Sequence, residues 1–296
     1  MVSPDQNDTP PFVTRFAPSP TGRLHKGHAF SALTAFRAAQ DAGGRFLLRI
    51  EDIDPTRCKP EFEDGIYEDL RWLGLDWEEP VRRQSNHLDD YAASVETLRQ
   101  RGLVYRCFRT RKEILDGIGH APHGITDAAR PGPHPADEEA ELLQSGKPFA
   151  WRLSLDRARD AIGGAAWDAL SFFEEGHGPD GETGRIRARP ELAGDVVLAR
   201  KDAGAAYHLA CVHDDALQGI SHVIRGLDLF EATPIQRLIQ TLFGWDEPVY
   251  RHHRLMTDAN GKRFAKRDGS VTLAALREGG VSADAVRAEV LLQMDL

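Results

Sequence analysis

The stretch RFAPSPTGRLHKGH, residues 15–28, contains two prolines, two glycines and two histidines between short apolar segments. The apolar residues of 12–17 predict a strand before it, and those of 26–41, spaced three or four apart, predict a helix after it. Residues 45–50 (RFLLRI) predict a second strand. Because a strand, a loop, a helix and a second strand form a βαβ unit, this region predicts a parallel sheet in an α/β fold.

The rest of the chain divides into regions of different pattern. Helices are predicted over 61–73 and 88–102, the pattern weakens near Tyr105, and apolar runs return at 195–198 and 207–212. We therefore expect a Rossmann-type parallel sheet that is split by an insertion and followed by a short helical appendix. The expected segments are a leader (1–12), the first half of the Rossmann domain (13–104), the insertion (105–193), the second half (194–258), and a loop with the appendix (259–296).

The composition is that of a globular protein in a reducing compartment. Hydrophobic residues make up 41% and charged residues 28% of the 296 residues. No apolar run approaches the roughly 18 residues that span a bilayer. The N-terminus lacks the basic start and apolar stretch of a secretion signal, and the three widely spaced cysteines offer no disulfide framework. These features predict a cytoplasmic protein without a membrane partner.

The formal net charge of −9 excludes binding of nucleic acid through bulk charge, because phosphate contacts need a local excess of lysine and arginine. Local basic clusters occur at 106–112, 185–189 and 262–267. Clusters of this size are also typical of an ordinary solvated surface. The charge pattern therefore allows a polyanionic partner without requiring one.

The loop of residues 15–28 leads into a helix N-terminus, where phosphate groups bind. Free backbone N–H groups and the positive end of the helix dipole attract anions there. Gly22 lets the backbone approach a ligand, and Gly27 clears space at the start of the helix. His25 and His28 lie three residues apart, so both rings can face the same phosphates, although either alone would be typical of a capping or packing residue.

Two further segments carry charges that suit a ligand. GKRFAKRDG, residues 261–269, holds four cations between glycines and suits a triphosphate on which negative charge builds up. Glu51, Asp52 and Asp54 follow the second predicted strand, at the sheet edge where ligands bind in open α/β sheets. These carboxylates could hold an amino group or a metal, or form an acidic surface turn.

Two other patterns are weaker. GHGPDG, residues 176–181, matches the glycine spacing of dinucleotide sites, but its proline and aspartate favour a turn. A zinc site would need about four ligands with a close pair among them. The candidates after residue 105 are Cys107, His120, His123 and His134. Only two of them lie close in sequence, so zinc is not expected.

Four motifs occur together and in a characteristic order. They are RFAPSPTGRLHKGH (15–28), RIEDIDPTR (49–57), HVIRGLDL followed by ATPIQ (222–236) and GKRFAKRDG (261–269). With these motifs the chain resembles class I aminoacyl-tRNA synthetases of the glutamyl/glutaminyl branch over residues 13–115 and 194–270. The resemblance implies the use of ATP with Mg²⁺, the activation of L-glutamate to glutamyl-adenylate, and the transfer of the glutamyl group to RNA.

The resemblance also implies roles for individual residues. The catalytic residues would be His25, His28 and Lys266, and the ATP-binding residues would be His25, Gly27, His28, Arg263 and Lys266. The glutamate-binding residues would be Arg15, Phe16, Ala17, Pro18, Ser19, Tyr207 and Arg225, with Glu51 binding the ammonium group. Guanidinium groups suit this role because their fork of N–H donors matches a carboxylate. The loop at 261–269 departs from the family's KMSKS pattern at Arg263, which keeps a cation, and at Ala265, which removes a hydroxyl.

The part of the chain after the last motif narrows the resemblance. Only 29 residues follow Arg267, so no anticodon-binding domain is expected. The chain then resembles the stand-alone paralogues that attach glutamate to the queuosine base at the wobble position of tRNA(Asp). Zinc is often bound in the insertion of these paralogues, but here Cys107 is the only matching ligand and Arg109 stands at a partner position. The expected partners are L-glutamate and queuosine-containing tRNA(Asp), and the expected state is a monomer.

Other functions remain open at this point. A truncated glutamyl-tRNA synthetase would charge the 3′ end of tRNA(Glu). A non-catalytic paralogue would bind glutamate or RNA without reaction, which the altered loop favours and the presence of His25, His28 and Lys266 opposes. Other nucleotidylyltransferases with the HxGH pattern would not explain the residues suited to glutamate.

Overall fold

The structure is a computed structural model that describes residues 11–110, 113–114, 130–200, 204–257 and 271–294. Its strands are β1 (Val13–Phe16), β2 (Arg45–Ile50), β3 (Glu78–Arg83), β4 (Val104–Cys107), β5 (Ala150–Leu153), β6 (Ser171–Glu174), β7 (Gly184–Arg187), β8 (Val197–Arg200), β9 (His222–Gly226) and β10 (Val249–His253). Its helices are α1 (Lys26–Asp41), α2 (Pro60–Trp72), α3 (Leu88–Gln100), α4 (Ala136–Gln144), α5 (Leu155–Ile162), α6 (Gly164–Asp168), α7 (Tyr207–Leu217), α8 (Thr233–Phe243), α9 (Leu273–Glu278) and α10 (Ala283–Met294).

The strands of the main layer are parallel. Strand β2 pairs with β1 on one side and with β3 on the other, while β10 pairs with β9 and with β6. The two groups meet at β1 and β9, where the Ser221 N–H donates to the Val13 carbonyl at 3.0 Å and the ring of Phe12 stacks on His222. The parallel strands therefore follow the order β3, β2, β1, β9, β10, β6, which confirms the predicted parallel sheet in an α/β fold.

The first βαβ unit has the bounds that its sequence pattern predicts. The apolar residues of α1, among them Ala29, Phe30 and Leu33, are buried in a core that they share with Phe46 and Leu48 of β2. The turn between α1 and β2 needs a glycine at residue 44, because a Cβ there would lie 2.3 Å from the Phe12 carbonyl oxygen. The spacing of apolar residues thus defines helix α1, and the glycine turn at residue 44 defines where β2 begins.

A second, antiparallel sheet consists of β4, β5 and β8. Strand β6, which lies within 105–193, instead pairs with β10 of the parallel layer. The apolar run at 207–212 lies at the start of helix α7. The GHGPDG segment forms the turn between β6 and β7, as predicted. The division into domains at 104/105 and 193/194 stays a prediction.

The last two described helices pack against the first βαβ unit. Helix α9 is joined to α2 by an ion pair between Arg277 and Asp69, at 3.0 Å. Helix α10 is joined to the start of α1, where the Lys26 ammonium lies 2.6 Å from a Glu289 carboxylate oxygen. These contacts fix the predicted helical appendix beside the loop of residues 15–28. No helix in the described part of the chain has the length and apolar character needed to cross a membrane.

Candidate active site

The N-terminus of α1 is capped by two histidines. The Nδ1 atom of His25 accepts the Gly27 N–H at 3.1 Å, and the Nδ1 atom of His28 accepts the His25 N–H at 3.1 Å. The two ring centroids are 3.9 Å apart. Because each Nδ1 is an acceptor, each neutral ring carries its hydrogen on Nε2 and can donate it to an anion. The capping arrangement thus converts two histidines into a pair of oriented donors.

A cavity of about 390 Å³ opens at this helix end. The predicted site residues that line it are Arg15, Phe16, Ala17, His25, Gly27, His28, Glu51, Tyr207 and Arg225. Pro18 lies at its edge, where its carbonyl accepts the Glu51 N–H at 3.1 Å, and Ser19 lines a neighbouring cavity. Arg263 and Lys266 lie outside the described residues. The fold therefore brings together residues separated by up to 210 positions, whose individual roles stay predictions.

Arg15 is held by a buried ion pair. Its guanidinium donates to both carboxylate oxygens of Asp215, at 2.9 and 3.2 Å. Arg49 donates to the same carboxylate at 2.8 Å and to Glu51 at 3.0 Å. Burial by itself would raise the pKa of Asp215, but the two guanidinium groups outweigh it and lower that pKa to about 2. The Asp215 carboxylate therefore stays ionised beneath the cavity.

The three carboxylates after β2 have different surroundings. Glu51 lines the cavity, and burial raises its pKa while Arg49 opposes that change. Asp52 instead accepts from Arg83 at 2.7 Å and from Ser85 at 2.6 and 2.8 Å. Asp54 bonds within its own turn, to Thr56 and Arg57. Glu51 is thus the carboxylate of this group that can bind an amino group in the cavity.

Arg225 lines the same cavity and has only neutral hydrogen-bond partners among the described residues. The guanidinium donates to Gln236 at 2.7 Å, to Thr233 at 2.8 Å and to His252 at 3.1 Å. A longer contact of 3.4 Å reaches the Tyr207 hydroxyl. No carboxylate in the described part of the chain forms an ion pair with it. Its buried positive charge is therefore available to an anionic ligand.

Several residues around the cavity were not predicted from the sequence. They are Cys211, Asp215, Thr233, Gln236 and His252. For Asp215 the sequence did contain a signal: two adjacent aspartates lie among the apolar residues of α7. Carboxylates on a buried helix face need cationic partners, so this pattern predicts a buried ion pair. Burial, and after it Asp215, raises the pKa of the Cys211 thiol to about 12, so this side chain stays protonated beside the two arginines.

A second cavity of about 830 Å³ adjoins the first, since Glu51 and Tyr207 line both. It lies between the parallel layer and the antiparallel sheet of β4, β5 and β8. Its lining includes four arginines, Arg57, Arg109, Arg152 and Arg200. Glu51 and Asp54 also line it, and Asp54 pairs with Arg57, but the arginines outnumber the carboxylates. A cavity with this lining can admit a polar, anionic group next to the ligand of the first cavity.

The proposed metal ligands do not come together in the described part of the chain, which holds no group of three or more His, Cys, Asp or Glu side chains arranged for a metal. Cys107 is buried, and its thiol lies 3.9 Å from the Arg109 carbonyl oxygen. His134 packs its ring against Phe108. His120 and His123 lie outside the described residues.

The parallel sheet and the histidine-capped helix define the class: a nucleotide-binding α/β domain of the class I synthetase type. The model of the family "tRNA synthetases class I (E and Q), catalytic domain" matches residues 11–160 and 174–293, and the chain belongs to this family. This confirms the family predicted from the four motifs, and with it the use of ATP by a ligase.

Within the family, the chain is similar to proteins named Glutamyl-Q tRNA(Asp) synthetase. The one from Rhodobacter capsulatus is 46% identical over 93% of this chain and 98% of its own length. The one from Nitratidesulfovibrio vulgaris is 41% identical over 91% of this chain and 82% of its own length. A crystal structure of a glutamate tRNA ligase from Elizabethkingia meningosepticum in complex with its amino acid has a TM-score of 0.70 and 30% identity. That match covers 87% of this chain and 52% of the ligase chain.

Proposed function

We propose that this protein activates L-glutamate with ATP and transfers the glutamyl group to the queuosine base of tRNA(Asp). The observation that carries the proposal is that one cavity of about 390 Å³ is lined both by Arg15 and Arg225, whose guanidinium groups suit a carboxylate, and by His25 and His28 at the start of α1, which suit phosphates. Adenylate formation needs this arrangement, because the amino-acid carboxylate must meet the α-phosphate. The names of the similar proteins support glutamate and tRNA(Asp) as the substrates.

Two charged groups in the cavity suit charges of glutamate, and a third group can donate hydrogen bonds to it. The Arg225 guanidinium has no anionic partner among the described residues and can take one carboxylate of the substrate. Glu51 can take the ammonium group. Arg15 lines the same cavity, but its charge is already balanced by Asp215, so it would position the substrate by hydrogen bonds. A smaller or neutral analogue would leave Arg225 without its carboxylate, which gives specificity.

The part of the cavity at the start of α1 suits the phosphates of ATP. The N-terminus of α1 offers backbone N–H groups and the positive end of its dipole. The Nε2–H groups of His25 and His28 would donate to phosphate oxygens whose charge grows in the transition state. Mg²⁺ would arrive bound to the triphosphate and would offset part of its negative charge. By the resemblance, Arg263 and Lys266 would add their cations to the same phosphates.

The second cavity suits the acceptor. It shares Glu51 and Tyr207 with the first, so a group bound in it would lie beside the activated carboxyl. Its four arginines suit the phosphates on either side of a nucleoside in an RNA strand. An acceptor hydroxyl held there could attack the adenylate, form the ester and release AMP.

The test is the choice of acceptor. The protein is incubated with labelled glutamate, ATP and either tRNA(Asp) with queuosine, tRNA(Asp) without it, or tRNA(Glu). We expect label only on the first RNA, and nuclease digestion should place it on the modified base rather than on the terminal adenosine. Label on tRNA(Glu), or label independent of queuosine, would contradict the proposal and favour a synthetase that charges a 3′ end.

A companion measurement separates the enzyme from a non-catalytic binding protein. Glutamate-dependent exchange between ATP and pyrophosphate reports adenylate formation without any assumption about the acceptor. We expect exchange with the wild-type protein and a loss of about a hundredfold with His28→Ala, because removing one oriented donor to a growing charge costs about this much. Replacement of a half-buried histidine that does not line the cavity, His87→Ala, is the matched control and should leave the exchange unchanged.

A further inference from the structure

Arg225 contacts His252, which in turn contacts Glu174, and these two residues form a buried polar pair. Glu174 ends β6 and His252 lies in the neighbouring strand β10, and both are almost completely inaccessible to solvent. Neither side chain lines the cavity. One Glu174 oxygen accepts two backbone N–H groups, of His252 and Gly176, at 2.8 Å each. The other lies 2.6 Å from the Nδ1 atom of His252.

The hydrogen positions along this chain of contacts follow from Arg225. Its Nε atom has one hydrogen and no capacity to accept, so it donates to Nε2 of His252 at 3.1 Å. Nε2 must therefore be unprotonated, and the hydrogen of the neutral ring lies on Nδ1, from which it is donated to Glu174. Burial lowers the pKa of His252 despite the opposing effect of Glu174, so the neutral ring is retained.

We propose that Glu174 is a positioning residue for the substrate-binding Arg225, acting through His252. By accepting from Nδ1, Glu174 selects the tautomer in which Nε2 accepts from Arg225, and this fixes the plane of the guanidinium fork. The inference rests on the proposed role of Arg225 as the residue that binds a carboxylate of glutamate. It adds a determinant of affinity that lies outside the cavity and in another segment of the chain.

The substitution Glu174→Gln tests the selection of the tautomer while preserving shape. The position of one oxygen is fixed by two backbone donors, so the glutamine oxygen must occupy it. The glutamine NH₂ group then faces Nδ1 of His252 and donates to it. The ring must carry its hydrogen on Nε2, which places two donors, this N–H and the Nε–H of Arg225, against each other.

The matched control is Glu175→Gln, the same change one residue further along. Glu175 is partly exposed and pairs with Arg251, on the side of the sheet away from the cavity contacts described above. A second variant, His252→Phe, removes the acceptor altogether. Because Glu174 acts through His252, adding Glu174→Gln to His252→Phe should change glutamate affinity by less than about twofold.

Two readouts are measured on the full chain. Nitrogen-15 spectra of the histidine rings, with His252 assigned from its absence in His252→Phe, should show hydrogen on Nδ1 in the wild type and on Nε2 in Glu174→Gln. Calorimetry with glutamate alone should show the dissociation constant raised about tenfold in Glu174→Gln and unchanged in Glu175→Gln, with the KM for ATP unchanged. A merely structural role would lower the melting temperature and alter both substrates alike.

An unchanged tautomer in Glu174→Gln, or unchanged glutamate affinity, overturns the inference. So does an additive effect of Glu174→Gln in the His252→Phe background. Neither readout uses RNA, so failure of the acceptor test leaves the inference standing when glutamate still binds. If the wild type does not bind glutamate, the inference and the proposed function both fall.

Discussion

The two arginines that face the cavity, Arg15 and Arg225, differ in what neutralises them. Arg15 shares the carboxylate of Asp215 with Arg49, in a cluster that is buried and closed by charge. Arg225 is buried to the same degree, but its described partners are a hydroxyl, an amide and a neutral imidazole. The same residue type thus occurs once as part of a completed ion pair and once as a charge without its counter-ion.

Because their partners differ, the two arginines should contribute to different properties of the protein, Arg15 to stability and Arg225 to ligand binding. Breaking a buried ion pair that is already complete costs a great deal of stability, because the remaining charge is left uncompensated. A buried cation held by neutral donors and acceptors carries a desolvation cost that an anionic ligand relieves. We therefore expect changes near Arg15 to act on folding and changes near Arg225 to act on glutamate affinity.

The largest expected effect is that of Asp215→Asn. This change keeps the shape of the side chain but leaves the buried guanidinium groups of Arg15 and Arg49 without their shared carboxylate. The free energy of unfolding should fall by about 3–5 kcal/mol, the usual result of removing one partner of a buried ion pair. Urea denaturation followed by circular dichroism measures it.

The control for Asp215→Asn is Glu78→Gln, which breaks the exposed ion pair with Arg45. Because solvent screens an exposed pair, its loss should change the stability much less. Equal losses in the two variants would mean that the Asp215 cluster is no more stabilising than a surface contact, and the comparison between the two arginines would fail.

Next in size is the effect of Arg225→Lys on glutamate. The lysine keeps the charge but loses the fork of donors, so the dissociation constant for glutamate should rise about a hundredfold, the cost of one good charge-assisted pair. The KM for ATP should stay within about twofold. Unfolding should be affected less than in Asp215→Asn, because the partners left behind are neutral. A variant that loses stability but retains glutamate affinity would reverse the roles assigned here to the two arginines.

Local pattern in the sequence predicted the half of the site that lies around the start of α1. The strand, loop and helix of residues 13–41 follow from apolar spacing and from glycines, and His25 and His28 cap the helix within the same short segment. Glu51 could also be placed, because the end of a parallel strand is a defined edge of the sheet. These predictions needed contacts only between residues near in sequence.

The partners of the two arginines could not be predicted in this way. Asp215 lies 200 residues after Arg15 in the chain, and Glu174 reaches His252 across 78 residues. No local periodicity encodes such contacts, because they depend on the order of strands in the sheet. Strand β6 lies in a region whose charged turns resembled an insertion, and its pairing with β10 brings Glu174 to the site. The sequence suggested which residues bind, but the structure was needed to find what holds them.

A smaller effect is the pH dependence of the stability that Asp215 contributes. The pKa of Asp215 is about 2 in the folded protein, below its ordinary value of 3.8. Its contribution to stability is therefore fully present above pH 5 and is lost as the pH falls toward 2. The difference in unfolding free energy between the wild type and Asp215→Asn should narrow by about 1 kcal/mol between pH 6 and pH 3.

Carboxylates outside the Asp215 cluster titrate alike in both proteins of that experiment, so their contributions cancel in the difference. Arg225 does not titrate in this range, but its partner His252, whose pKa burial lowers from its ordinary value, can gain a proton there, so Arg225→Lys is not expected to keep a constant difference from the wild type. A constant difference for Asp215→Asn would show that its carboxylate does not carry the stability of the cluster.

The smallest expected effect is that of Tyr207→Phe. The hydroxyl lies 3.4 Å from Arg225, a long contact to a neutral partner, while the ring lines both cavities. Glutamate affinity should fall only about threefold, the cost of one weak neutral hydrogen bond. Burial raises the pKa of Tyr207, so the hydroxyl stays protonated and the threefold difference should be the same at pH 7 and pH 9. Calorimetry at both values checks this. A loss as large as that of Arg225→Lys would mean that the hydroxyl binds the substrate itself, and that the neutral partners of Arg225 do more than hold it in place.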